Sequence, residues 1–190
     1  MEISFSYIIT FISLIYGLAL AHSLSCIAEY IQHWKQIKHY WVWWFWAMYL
    51  LLLSVGFWWS IYAMWNQTEV WEITDFVFLT AQSSLFYLTF YIFFNHFNEL
   101  ENNNLEFEYY KYKNIFFILL PIQFILMFVG HSFLATEKSM TEILLENMPI
   151  FPQIIILIIL AVTNNKIVHG FFAVVFILLF IVAISLLSYL

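Results

Sequence analysis

Long apolar runs separated by short polar stretches set the pattern of this chain. The runs cover about residues 3–28, 41–65, 73–97, 114–135, 149–163 and 167–190. Most are apolar on every side and long enough to cross a bilayer core as a helix, which leaves no polar face for water. The strict apolar-polar alternation of a membrane β-barrel is missing. The pattern predicts an all-α integral membrane bundle of six transmembrane helices, forming a single domain over residues 1–190.

Polar punctuation and aromatic placement refine the elements. Of the nine tryptophans, seven lie between Trp41 and Trp65, clustered at Trp41, Trp43, Trp44 and Trp46 and again at Trp58, Trp59 and Trp65. Indole rings favour the headgroup boundary, so the clusters read as two aromatic belts on one span. Ile27, Tyr30, Ile31, Trp34 and Ile37 recur at helical spacing after the first run, which predicts an amphipathic continuation lying in the interface. Pro121 sits where it would kink the fourth span. Ser139 and Glu142 have the spacing of a capping box before a short helix, and Pro149 and Pro152 mark the start of the fifth and shortest span. The run NELENNNLEFEYYKYK, residues 98–113, reads as a solvated loop.

Composition excludes a water-soluble globule, since 64% of residues are hydrophobic and 9% charged. The net charge of −6 resides in the connections, and no basic cluster exists, so nucleic acid is not expected as a partner. Lys35, Lys38, Lys111, Lys113 and Lys166 fall in alternate connections, with only Lys138 opposite them; the positive-inside rule then predicts both termini outside. The first apolar run lacks a basic leader and is expected to be retained. Arginine is absent while Phe, Ile and Asn abound, a bias of AT-rich coding.

Three segments, ISLIYGLALAHSLSCIAEYIQHWKQIKHYW, LLLSVGFWWSIY and LEFEYYKYKNIFF, resemble a widespread group of uncharacterised bacterial multi-span inner-membrane proteins. The shared features are a Gly-Leu-rich first span, Phe-Trp-Trp near the end of the second, and Tyr-Tyr before the fourth. The resemblance covers about residues 6–118 and implies a multi-pass protein of the bacterial cytoplasmic membrane. It carries no activity and no site residue with it.

Four constellations are candidates for function. Asp75, Gln82, Thr89 and His96 repeat every seven residues, which on a straight helix makes a polar stripe; it would line an ion or proton route or glue helices together. Ser13, Gly17 and Ala21 form a small-residue seam that lets another helix approach, and they point to a homo-oligomer. Glu106, Glu108, Tyr109 and Tyr110 offer an acidic-aromatic docking surface for a cytosolic protein. His22, His96 and His169 fall in the same half of the membrane and are the candidates for haem or a metal, although no cofactor is expected. Cys26 is the only cysteine, which rules out an internal disulfide and any cysteine-based zinc site within one chain, and its expected role is that of a small residue near a span end.

Nucleotide loops, HExxH and serine nucleophiles are missing, so an enzyme is not expected. The sequence predicts a membrane sensor or anchoring subunit for a cytosolic partner, surrounded by lipid, in a setting such as stress response or phage defence. A small channel lined by the polar stripe is the alternative, and a haem- or metal-binding membrane protein the third reading.

Overall fold

The computed structural model describes residues 5–66, 68, 71–134 and 139–187 and is all-helical. The chain order is α1 (Phe5–Gln32), α2 (Trp41–Trp65), α3 (Ile73–Phe93), α4 (Leu105–Leu134), α5 (Met140–Glu146), α6 (Ile150–Val162) and α7 (Lys166–Leu187). Five of these are long and apolar enough to cross a membrane; α5 and α6, bent by 58° at their junction, make a sixth candidate as a pair. By itself α6 spans only about 20 Å at 1.5 Å per residue, short of a bilayer core. Glu2 and Ile3, Ala135, Lys138 and the last three residues of the sixth run lie outside the described residues.

Four helices close on one another: α1 packs on α2 and α3, while α4 packs on α3 and α2. Outside this core, α6 lies against α4 and α7 against α2. The two outer helices flank an apolar groove of about 510 Å³, floored by Leu53, Phe57 and Phe124. Helix α2 thus occupies the centre, with neighbours on three sides, and its tryptophans cannot all be belt residues.

That position corrects the aromatic-belt expectation. Trp41 and Trp59 face outward, but Trp43, Trp46 and Trp65 are buried. Trp46 meets Tyr49, Phe116, Phe117 and Phe176, while Trp43 stacks on Phe93 at 5.3 Å. Indoles at 41, 43, 44 and 46 point around the whole helix, so a central helix must bury some of them.

Element boundaries differ where polar residues continue a helix. The predicted interfacial helix is instead the end of α1, running to Gln32, followed by one 3-10 turn at Trp34–Gln36; Ile31 and Trp34 face out while Tyr30 and Ile37 turn inward. Helix α3 stops at Phe93 and leaves His96 outside it. Helix α4 starts at Leu105, well inside the stretch expected to be a loop, and passes through Pro121 without ending. The capping box at Ser139 forms, with its hydroxyl accepting from the Glu142 N–H.

Replacing Trp46 with alanine is expected to cost about 3–5 kcal/mol, the range for emptying a large aromatic site. Trp59→Ala, at an outward position, should leave stability nearly unchanged; unfolding in detergent followed by tryptophan fluorescence measures the contrast.

Candidate functional site

The most extensive set of polar side chains lies at one end of the bundle, at residues 33–40, 94–104 and 163–165; a smaller set, with Asn147 bonded to His131 and Glu146 paired with the same histidine, joins α4 to α5 and its C-cap. Two backbone hydrogen bonds clip the first two segments, Lys38 N–H to the Asn103 carbonyl at 2.8 Å and Leu105 N–H to the Lys38 carbonyl at 3.2 Å. Asn102 and Asn103 adopt left-handed conformations, φ 54° and 50°, which asparagine tolerates better than most residues. The asparagine run therefore makes a tight, ordered corner.

Two carboxylates satisfy the backbone that this corner leaves unpaired. Glu29, near the end of α1, accepts the Phe97 N–H at 2.9 Å through one oxygen and His96 Nδ1–H at 2.9 Å through the other. Glu108, in the first turns of α4, accepts the Glu101 N–H at 2.9 Å and an Asn95 side-chain N–H at 3.4 Å. Tyr30 closes the set by donating to the Asn95 carbonyl at 2.5 Å. The acids fasten the connection to α1 and α4.

A second cluster ties α4, α6 and α7 together at the same end. Lys113 is buried and donates to the Ala161 carbonyl at 2.7 Å, where α6 leaves its last carbonyls unpaired. His169 Nε2–H donates to the Thr163 carbonyl at 3.0 Å, so its Nδ1 accepts from the Tyr109 hydroxyl at 2.7 Å. Lys166 pairs with Glu106, and Lys111 with Glu101. Tyr40, between the helices, shares a hydrogen bond with Tyr110; burial, then that hydroxyl, pushes its phenol well above the ordinary range.

The predicted constellations fare differently. Gln82 and Thr89 share the buried face of α3, but Asp75 closes a capping box with Glu72 at the far end and His96 lies beyond the helix. Thr89 donates to the Leu85 carbonyl one turn back at 2.9 Å, and Phe86 fills the face between the two polar residues. Beside Gln82 there is a cavity of about 10 Å³, room on the order of one water. These four residues line no continuous opening among the described residues.

In the small-residue seam, Ser13 is engaged from inside, accepting the Trp58 Nε1–H at 2.9 Å. Gly17 and Ala21 face outward, and among the described residues nothing outside α1's own backbone stands within 4 Å of where a Gly17 Cβ would be. The docking quartet is corrected more sharply. Glu108 and Tyr109 are each only 3% exposed, because α4 begins early enough to draw them into the bundle. Glu106 is held by Lys166 and Tyr110 by Tyr40. Exposed at this end are Glu99, Glu101 and Phe107 together with Lys35, Lys38, Lys111 and Lys166.

Of the three histidines, only two meet. His22 and His96 touch edge to face with ring centroids 5.3 Å apart, and His22 also stacks on Tyr91. Rings in contact leave no slot for a flat macrocycle between them, which removes the haem geometry. His169 belongs to the separate Tyr109 cluster. The third neighbour of the pair is Cys26, with Sγ 3.9 Å from His22 Nε2. Cys26 is excluded as a metal ligand when it is counted alone, but its distance of four residues from His22 places both on one helical face, and the structure brings it to the histidine pair.

Glu108→Ala should leave the Glu101 N–H without its acceptor and cost about 1–3 kcal/mol. Limited proteolysis of purified protein checks this: cleavage within residues 95–104 is expected to accelerate in the variant. No family of known proteins, no curated protein and no solved structure matches this chain.

Proposed function

We propose that the protein is a non-enzymatic subunit of a bacterial inner membrane that self-associates through α1 and serves as a sensor or anchor for a cytosolic partner. The observation that carries this reading is the bare outward face at Gly17 and Ala21. Among the described residues nothing covers the glycine, and a small-residue face of this kind permits close backbone approach of a second helix. Ser25 and Ala28 continue the same outward face toward the polar end.

The lysines of three connections gather at that polar end, so the positive-inside rule turns it toward the cytosol and both termini outward. There the exposed Glu99 and Phe107, the Glu101–Lys111 pair and the exposed Lys35, Lys38 and Lys166 form a mixed-charge rim with an aromatic contact, which suits a protein surface of complementary charge pattern. Partner contact shifts from the Glu106 to Tyr110 quartet to this rim. Many of the polar side chains behind it already hold backbone or one another, which supports a structural and docking role over turnover of a substrate.

Crosslinking in native membranes tests the association. The wild-type chain is expected as a dimer or larger species, and Gly17→Leu or Ala21→Leu should shift it to monomer by blocking close approach. Only monomer in the wild type, or an unchanged distribution in both variants, contradicts the reading. Reconstituted liposomes should show no selective ion flux that Gln82→Leu abolishes.

A further inference from the structure

We infer that His22, Cys26 and His96 form a binding site for a zinc-type divalent cation at the polar end of the bundle. The three side chains offer ligand atoms that lie within 4.8 Å of one another. In a tetrahedral zinc site, bond lengths of about 2.0 Å to nitrogen and 2.3 Å to sulfur place ligand atoms roughly 3.3–3.7 Å apart. The 3.9 Å between His22 Nε2 and Cys26 Sγ is already close to that spacing. The widest separation, at most 4.8 Å, has to close by about an ångström, which small rotations about the side-chain torsions of the three residues supply without moving the backbone.

The surroundings of His96 are those of a metal ligand. Its Nδ1–H is taken by the Glu29 carboxylate at 2.9 Å, which fixes the tautomer and leaves Nε2 with a lone pair. A carboxylate behind a histidine in this way orients the ring and makes its other nitrogen a better donor. Glu29 is itself held by the Phe97 N–H at 2.9 Å, so the arrangement is braced before any ion arrives. The same Glu29 that anchors the connection therefore also aims the ligand.

His22 contributes through Nε2, which in the metal-free protein donates its hydrogen to the Phe94 carbonyl at 2.8 Å. Coordination requires the tautomer with hydrogen on Nδ1; Nε2 then binds the ion, and the Phe94 oxygen faces the metal instead of an N–H. Cys26 binds as thiolate: the S–H bond breaks, a sulfur–zinc bond forms and one proton passes to solvent. Two imidazoles and one thiolate suit zinc and leave a fourth position for the carbonyl or for water, since His96 is 41% exposed at its side chain. The site depends on α1 and the connection after α3 alone, and it stands whether or not the chain self-associates.

Titration of the purified full-length protein with Zn²⁺ against a chromophoric chelator, after removal of metal with EDTA, tests the site. One Zn²⁺ per chain is expected. Cys26→Ser and His96→Ala should each weaken it at least tenfold, and Glu29→Gln by about 10- to 100-fold, the range for an outer partner of a ligand. His39→Ala, outside the cluster, should leave binding unchanged. As a readout that needs no variant to fold, Co²⁺ added to the wild type should produce a thiolate-to-cobalt charge-transfer band in the near ultraviolet. Absence of stoichiometric Zn²⁺ binding, or binding without the cobalt band, overturns the assignment.

Discussion

The fold depends on how the connection between α3 and α4, two 3-10 turns at Phe97–Glu99 and Glu101–Asn103 joined by extended residues, is satisfied at the bundle end. Residues 94–104 leave α3 with free N–H and C=O groups beside packed helices, where unpaired backbone is costly. Glu29 and Glu108 answer that need from opposite sides, one on α1 and one on α4, each accepting a backbone N–H of the connection. Because each acid sits on a different helix, pairing the loop also fixes α1 and α4 relative to α3. The Lys38 clip adds the segment before α2, so all four core helices converge on the same eleven-residue piece.

Polarity is distributed accordingly. Away from this end, the contacts are largely aromatic: Phe57, Phe86 and Phe90 lie with Tyr16 in the interior, and Trp46 fills the junction of α2, α4 and α7. Such packing leaves space for about one water at Gln82.

The spans were legible because bilayer thickness writes itself into apolar length, and α2 begins and ends where its tryptophans indicated. Burial was less so. A charged run such as Glu106 to Lys113 has the composition of a solvated loop, yet Glu108 and Lys113 are inside, since each finds backbone partners that only the assembled bundle supplies. The heptad spacing of Asp75, Gln82, Thr89 and His96 was real as far as α3 runs, and it failed at His96 because the helix ends before it. Convergence of His22 with His96 follows from the path of residues 94–97, which no periodicity encodes. The spacing of Cys26 from His22, four residues on α1, is the sequence signal for their proximity, while a lone cysteine by count argued the other way.

The central claim is that residues 94–104 form an ordered clamp rather than a loose connection. Hydrogen–deuterium exchange of the wild-type protein in nanodiscs, resolved to the amides of Phe97 and Glu101, measures it most directly. Both amides should exchange at least a hundredfold more slowly than an unstructured chain, corresponding to protection of about 2.7 kcal/mol or more. Exchange at the unstructured rate at both positions would contradict the account.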